Sequence, residues 1–262
     1  MARVVLTQPA PRAESVAARL RGLGHEVLVL GLSRVVERTN DPAVRDAVGR
    51  LDRYDWAILV SPSAVRAAAA LAPDWPAGTG VAVVGPGSRA AIPDAGFRRA
   101  PSRVVSPDAP PFDGEALAGL PPLDAPSGLR VLVLRGESGS DAWIEGLRTR
   151  GAQVDVVAAY RHEAVEPDAS ALATLRTWLG EEERPVRFIV TQTATVERLD
   201  AVLAGAGLQS QAKRTTAITI HARIASALRK AGWRDVRQVQ PGDQALVLAL
   251  ESASDSSSRH GV

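Results

Sequence analysis

The chain has 262 residues, 45% hydrophobic and 23% charged, the balance of an ordinary globular protein of one large or two small domains. A net charge of +2 with dispersed basic residues and only 4% aromatics argues against nucleic acid as a partner, and no apolar run approaches the roughly 18 residues of a membrane span. Cysteine is absent and the four histidines are scattered, which excludes disulfides, thiolate catalysis and Cys-based metal sites and argues against a His-built metal site.

Short β-branched runs alternate with Ala/Leu/Arg-rich helical stretches, the pattern of an α/β protein with largely parallel sheets. The opening Met1–Thr7 enters a strand without the layout of a signal peptide, so the cytoplasm is the expected compartment. In chain order the pattern predicts a strand at Arg3–Leu6, a helix at Ala13–Leu23 and strands at Glu26–Leu30 and Trp56–Val60. A helix at Ser63–Leu71 and a strand at Val81–Val84 follow. The Pro- and Asp-rich stretch Ala100–Ser127 is expected to wrap the surface around a short helix at Gly114–Leu120. Beyond it come a strand at Arg130–Leu134, a helix at Trp143–Arg150, a strand at Val154–Ala158 and a helix at Ala169–Leu179. The last part predicts strands at Arg187–Val190, Thr216–Ile220 and Val236–Val239, separated by helices at Val196–Ala206 and Ala222–Ala231 and closed by a helix at Gln244–Glu251. The polar tail Ser252–Val262 has little apolar surface to bury and is expected to be disordered.

The sequence repeats itself. Arg3, Leu20, Gly24 and Val27 match Arg130, Leu147, Gly151 and Val154 at a constant offset of 127 residues, each copy reading strand, helix, helix-stopping glycine, strand. Ile58–Ser61 aligns with Ile189–Gln192 at offset 131, and Gly96–Phe97 with Gly232–Trp233 at offset 136. Three pairs in one order favour a duplication and two similar lobes. The segments Leu32–Arg38 and Ala159–Val165 continue extended beyond core strands with alternating polar residues, as an exposed two-stranded linker between lobes would.

In open parallel sheets, ligands sit beyond the carboxyl ends of the strands. Those positions hold Thr7, Ser61 and Ser63, Gly85 and Ser88, Arg135 and Gly136, and Thr191 and Thr193. Hydroxyls and glycines there have a plain use as helix caps, each worth about 1 kcal/mol. Their accumulation on one edge also suits anions, because backbone N–H groups and the positive ends of helices gather there. All but two of the 31 basic residues are arginines (Lys213 and Lys230 are the exceptions), which reflects either compositional bias or the fork that guanidinium offers to carboxylates. Gly85–Ala90 imitates a dinucleotide fingerprint, but Pro93 cuts the helix short and no ribose-binding acid follows. Gly136–Ser140 lacks the Gly-Lys-Ser/Thr ending of a phosphate loop. No catalytic pair stands out; Tyr160, where a core strand becomes linker, reads either as a packing aromatic or as a residue facing the space between lobes.

The Val-Leu-Thr7 opening, Ser61-Pro-Ser-Ala-Val65, Val-Gly-Pro-Gly-Ser88, Leu-Arg-Gly136, Arg150-Gly-Ala-x-Val154 and Tyr160-Arg161 together resemble the uroporphyrinogen-III synthase family over essentially the whole chain except the tail. The resemblance implies two flavodoxin-like or Rossmann-like lobes, 1–33 with 163–251 and 37–159, joined by a two-stranded linker, with the active site in the interdomain cleft. It implies cyclisation of hydroxymethylbilane, a linear tetrapyrrole with eight carboxylates, to uroporphyrinogen III by a cofactor-independent lyase of haem biosynthesis. The expected partner is that small molecule alone, and the chain is expected to be a monomer. Tyr160 matches the family tyrosine held to assist departure of the hydroxyl, and Arg223 is a candidate cation for the substrate. The chain departs from the family pattern at Gln8, where Arg is common, at Val60, at Ser138–Asp141, which replaces Gly-Gly-Arg, and at His221–Arg223, which replaces a Gly-Pro-x-Thr turn. Those departures leave a non-catalytic, polycarboxylate-binding paralogue as the alternative.

Overall fold

The computed structural model describes residues 1–181, 183–240 and 242–252; the expected disordered tail beyond Ser252 lies outside the described residues. Eleven strands are described: β1 (Arg3–Leu6), β2 (Glu26–Val29), β3 (Ser33–Glu37), β4 (Trp56–Leu59), β5 (Gly80–Val83), β6 (Val104–Val105), β7 (Arg130–Gly136), β8 (Gln153–Ala164), β9 (Val186–Ile189), β10 (Thr216–Thr219) and β11 (Asp235–Gln238). The chain divides into two compact units, Met1–Arg34 with the segment from Glu163 onward, and Val35–His162.

The first unit is a parallel sheet in the order β2-β1-β9-β10-β11. Its strands are apolar on both faces because helices cover both. Ala10–Gly22 and Asp243–Ser252 pack on the face of Val4, Leu6, Ile189 and Ile218. Ala169–Gly180, Thr193–Gly205 and Ala222–Lys230 pack on the face of Val5, Phe188 and Ala217. The second unit sets β8-β7-β4-β5-β6 parallel and adds β3 beside β8. Pro42–Gly49 and Pro62–Leu71 cover one face, and Gly114–Ala118 and Ala142–Thr149 the other.

The two sheets are one sheet built in different chain order. With β7, β8, β4 and β5 as counterparts of β1, β2, β9 and β10, both read 2-1-3-4 across the sheet, and β6 takes the outer place of β11, the doubly wound flavodoxin-like order. Register agrees as well: Leu6 pairs with Val29 and Ile189, and Val133 with Val156 and Ile58. Ile218 pairs with Ile189 as Ala82 pairs with Ile58. These pairs return the offsets 127, 131 and 136 of the sequence repeat. Gly24 (φ 81°) and Gly151 (φ 94°), equivalent in the repeat, both stop a helix in the left-handed region that side chains resist.

The linker segments differ in one respect from an exposed ribbon. β8 is a single strand of 12 residues, so the second pass is the extension of a core strand. Arg38 N–H donates to the Ala159 carbonyl and Val165 N–H to that of Leu32, an antiparallel pairing of the two passes. Leu32, Ala159 and Tyr160 are buried there, Leu32 in the core of the first unit and Ala159 and Tyr160 in that of the second. Among the described residues no helix is long and apolar enough to cross a membrane.

Candidate functional site

The carboxyl edges of both sheets hold the residues singled out from the sequence, and hydrogen bonding separates the capping reading from the ligand reading. Among the described residues, one side-chain cap is seen at a helix that starts directly after a parallel strand: Ser61 Oγ accepts the Ala64 N–H at 3.1 Å, at the start of Pro62–Leu71. Ala10–Gly22, Thr193–Gly205 and Ala222–Lys230 have no side-chain cap and no acidic residue in the first turn. Their positive ends are therefore uncompensated from within the helix.

In the second unit the edge is largely satisfied by its own residues. Ser63, buried, accepts from the Arg66 guanidinium at 3.1 Å. Gly85 is extended and lies against Phe112, whose Cβ would be 3.0 Å from an added Cβ. Ser88 is buried in the short helix that follows, with its N–H on the Gly85 carbonyl at 3.1 Å. Arg135 is tied to its own loop: Nε donates to the Gly136 carbonyl at 3.2 Å, and Nη1 is paired with Asp141. The departure at Asp141 thus brings a carboxylate that neutralises the neighbouring Arg135. Val60 is a half-buried packing residue of the adjoining core.

Tyr160 stands on β8 opposite Gly136, at a register shift between Arg135 and Gly136. A Cβ on Gly136 would lie 2.9 Å from the Tyr160 ring and 3.2 Å from its hydroxyl, so only glycine leaves room for the ring. The ring is 8% exposed, joins the core of the second unit and meets His162 edge-on at 5.7 Å. Burial lowers the His162 pKa, favouring the neutral imidazole. Gly136 and Tyr160, predicted residues from different strands, are thus brought into direct contact by the fold.

In the first unit, Thr7 is buried and its hydroxyl donates to the Ile189 carbonyl at 2.9 Å, so that donor is spent on joining β1 to β9. Thr191 and Thr193 are half-buried, and the Thr193 hydroxyl has no partner among the described residues. Arg223 is exposed on the first turn of its helix, and His221 at the preceding cap position makes no capping bond. Two residues outside the expected set share this edge. Gln8 is 2% exposed with neither amide atom bonded, and Thr219 is fully buried with its hydroxyl unbonded, among the described residues. The repeat held the signal that would have found Thr219, because its register partner in the second unit is the aliphatic Val83. Among the described residues no group of three or more His, Asp or Glu could hold a metal ion.

A profile of the family described as uroporphyrinogen-III synthase HemD matches residues 14–247. The chain belongs to the uroporphyrinogen-III synthase family. It is 28% identical over 256 residues to the uroporphyrinogen-III synthase of Salmonella typhimurium, covering 95% of this chain and 99% of that protein. Against the synthase of Escherichia coli identity is 24% over 253 residues, with 95% and 99% covered. Among solved structures, a uroporphyrinogen-III synthetase from Helicobacter pylori matches with TM-score 0.59 at 15% identity, over 97% of this chain and all of that one. A mutant uroporphyrinogen III synthase from Thermus thermophilus matches with TM-score 0.55 at 19% identity, over 98% and 100%. At such identities the two structures speak for the fold: two similar parallel-sheet lobes. Family-level activity as a tetrapyrrole-forming enzyme follows from the sequence match.

Proposed function

We propose that this chain is a uroporphyrinogen-III synthase that cyclises hydroxymethylbilane to uroporphyrinogen III with loss of water and inversion of ring D. The observation that carries this reading is the family match across residues 14–247, which includes the Gly136–Tyr160 contact. The carboxyl-edge amides and hydroxyls of each unit bind the eight carboxylates and coil the flexible chain; positioning of this kind accounts for most of the catalysis. At the reacting end the Tyr160 phenol lends its proton to the departing hydroxyl. The C–O bond breaks, water leaves, and the pyrrole nitrogen lone pair forms a cationic azafulvene. Attack by the substituted carbon of ring D gives a spiro intermediate, whose rearrangement and proton loss return the proton to the phenolate. No electrons are exchanged with an acceptor, so the chemistry calls for no redox cofactor. We assign the activity to a cytoplasmic monomer.

The test supplies freshly made hydroxymethylbilane and separates the isomers by chromatography. Spontaneous closure gives type I, so enzyme-dependent type III is the expected result. Type I alone would overturn the reading, and tight binding without turnover would instead identify a polycarboxylate-binding paralogue. Tyr160→Phe is expected to slow type III formation by about 100-fold, the usual range for losing a general acid. An unchanged rate would remove Tyr160 from the mechanism.

A further inference from the structure

The last register row of the parallel sheet differs between the two units. In the second unit it is Leu134–Leu59–Val83, three fully buried aliphatic residues. The equivalent row of the first unit places Thr7 and Thr219 on either side of Val190, one residue beyond the Leu6–Ile189–Ile218 row. The same sheet is therefore completed elsewhere in this molecule without a hydroxyl at these places. Thr7 has a local use for its hydroxyl, on the Ile189 carbonyl. Thr219 has none among the described residues, although it is 0% exposed. Gln8, next along from Thr7, is 2% exposed, and both its amide oxygen and its amide nitrogen lack partners there.

Buried polar atoms are nearly always hydrogen-bonded, and leaving them unpaired destabilises a fold that an apolar side chain would satisfy. Their position is also specific. Gln8 follows β1, whose helix packs on one face of the sheet, while the helix after the adjacent β9 packs on the other. That is the topological switch point, the place on an open α/β sheet where ligands generally bind. Thr219 lies two strands away, about 10 Å at ordinary strand spacing. Between them starts the Thr193–Gly205 helix, without a side-chain cap.

We propose that Gln8 and Thr219 form a ligand subsite on the carboxyl edge of the first unit. The Gln8 amide N–H and the Thr219 hydroxyl each donate to a carboxylate of the ligand, and the Gln8 carbonyl oxygen accepts a pyrrole N–H. Naming the ligand as a carboxylate-bearing pyrrole rests on the function proposed above; the unpaired atoms do not. A primary amide suits this task because it offers a donor and an acceptor side by side, which a guanidinium or a carboxylate does not. The counterpart of Gln8 in the repeat, Arg135, is already engaged by its own loop and by Asp141, which places this function in the first unit alone.

The test compares the full-length wild type with Gln8→Met, Thr219→Val and Thr7→Val, measuring thermal unfolding without ligand and binding of uroporphyrin III by quenching of tryptophan fluorescence. Gln8→Met and Thr219→Val are expected to unfold at a higher temperature than wild type and to bind the porphyrin more weakly, Gln8→Met by about tenfold. Thr7→Val is expected to unfold at a lower temperature, because it loses a bond the fold uses. Lower unfolding temperatures for Gln8→Met and Thr219→Val, unchanged porphyrin affinity, or a wild type that does not bind the porphyrin would each overturn the subsite. Isomer analysis of the wild type separates the two claims. Type III product with unaltered variant affinity removes the subsite and leaves the synthase, whereas weakened variant affinity with no type III product does the reverse.

Discussion

The two units share strand order and register but complete the carboxyl edge in opposite ways. The second caps its helix with Ser61, binds Ser63 to Arg66, neutralises Arg135 with Asp141 and seals the last row with Leu134, Leu59 and Val83. Among the described residues, the first leaves Gln8, Thr193 and Thr219 with unbonded polar atoms, and the helices after β1, β9 and β10 start without a side-chain cap, as Pro86–Ala90 and Ala142–Thr149 of the second also do. Since one topology supports both versions, the unbonded groups of the first are not a requirement of the fold. Exceptions to a repeat are thus more informative about binding than the repeat itself.

The strongest way to break this comparison is through the cores. Phe188 is fully buried and meets Trp233 edge-on at 5.0 Å, whereas its register counterpart in the second unit is Ala57. Phe188→Ala is expected to destabilise the first unit by about 3–5 kcal/mol, measured by urea denaturation. A value near zero would mean that the first unit is not held by this cluster. Next in size is Gly136→Val, which drives a side chain into the Tyr160 ring and should cost about 1–3 kcal/mol, with a slower formation of type III product. If the variant melts like wild type, the close approach of ring and strand is absent in solution.

Capping offers a paired measurement at equivalent positions. Ser61→Ala removes a real cap and should cost about 1 kcal/mol, while Gln192→Ala, at the matching place, has no side-chain cap to lose and should leave the denaturation midpoint unchanged. Equal effects would erase the distinction between the two edges.

A small effect at neutral pH is expected from Tyr54→Phe, since the exposed Asp155 stays hydrated once its partner is gone. Burial first, and the hydroxyl's 2.7 Å bond to Asp155 second, push the Tyr54 pKa up from 10.0 to about 12. The unfolded chain releases that proton more easily, so the associated stability is complete below pH 10 and is lost as pH rises towards 12. Urea midpoints followed from neutral into that alkaline window should fall more steeply for wild type than for Tyr54→Phe. Parallel curves would show that Tyr54 titrates freely.

Much of the secondary structure was legible because burial leaves a local imprint. The run Arg3–Leu6 forms the strand its apolar pattern predicts, and the other predicted strands start within one residue of those observed. The short elements were not. Val104–Val105 is too brief to show a period, and Gln209–Ala212 is a single turn. Pro42–Gly49 did carry a signal, Asp41 capping the Ala43 N–H ahead of a proline in the first turn. For the candidate site, the chain exposed which residue types collect on the carboxyl edges, but not which of their hydrogen bonds were already used.

By itself the sequence determined the alternation of strands and helices, the internal repeat and the edge on which polar residues gather, because each is a pattern written along the chain and needs no knowledge of which segments touch. Only the tertiary structure decided that Thr7 spends its hydroxyl on Ile189 from 182 positions away, that Arg135 answers to Asp141, that Tyr160 rests on Gly136, and that Gln8 and Thr219 find no partner among the described residues. The physical reason is that hydrophobic period is a property of a single segment, whereas a hydrogen bond is satisfied or orphaned only when distant segments meet.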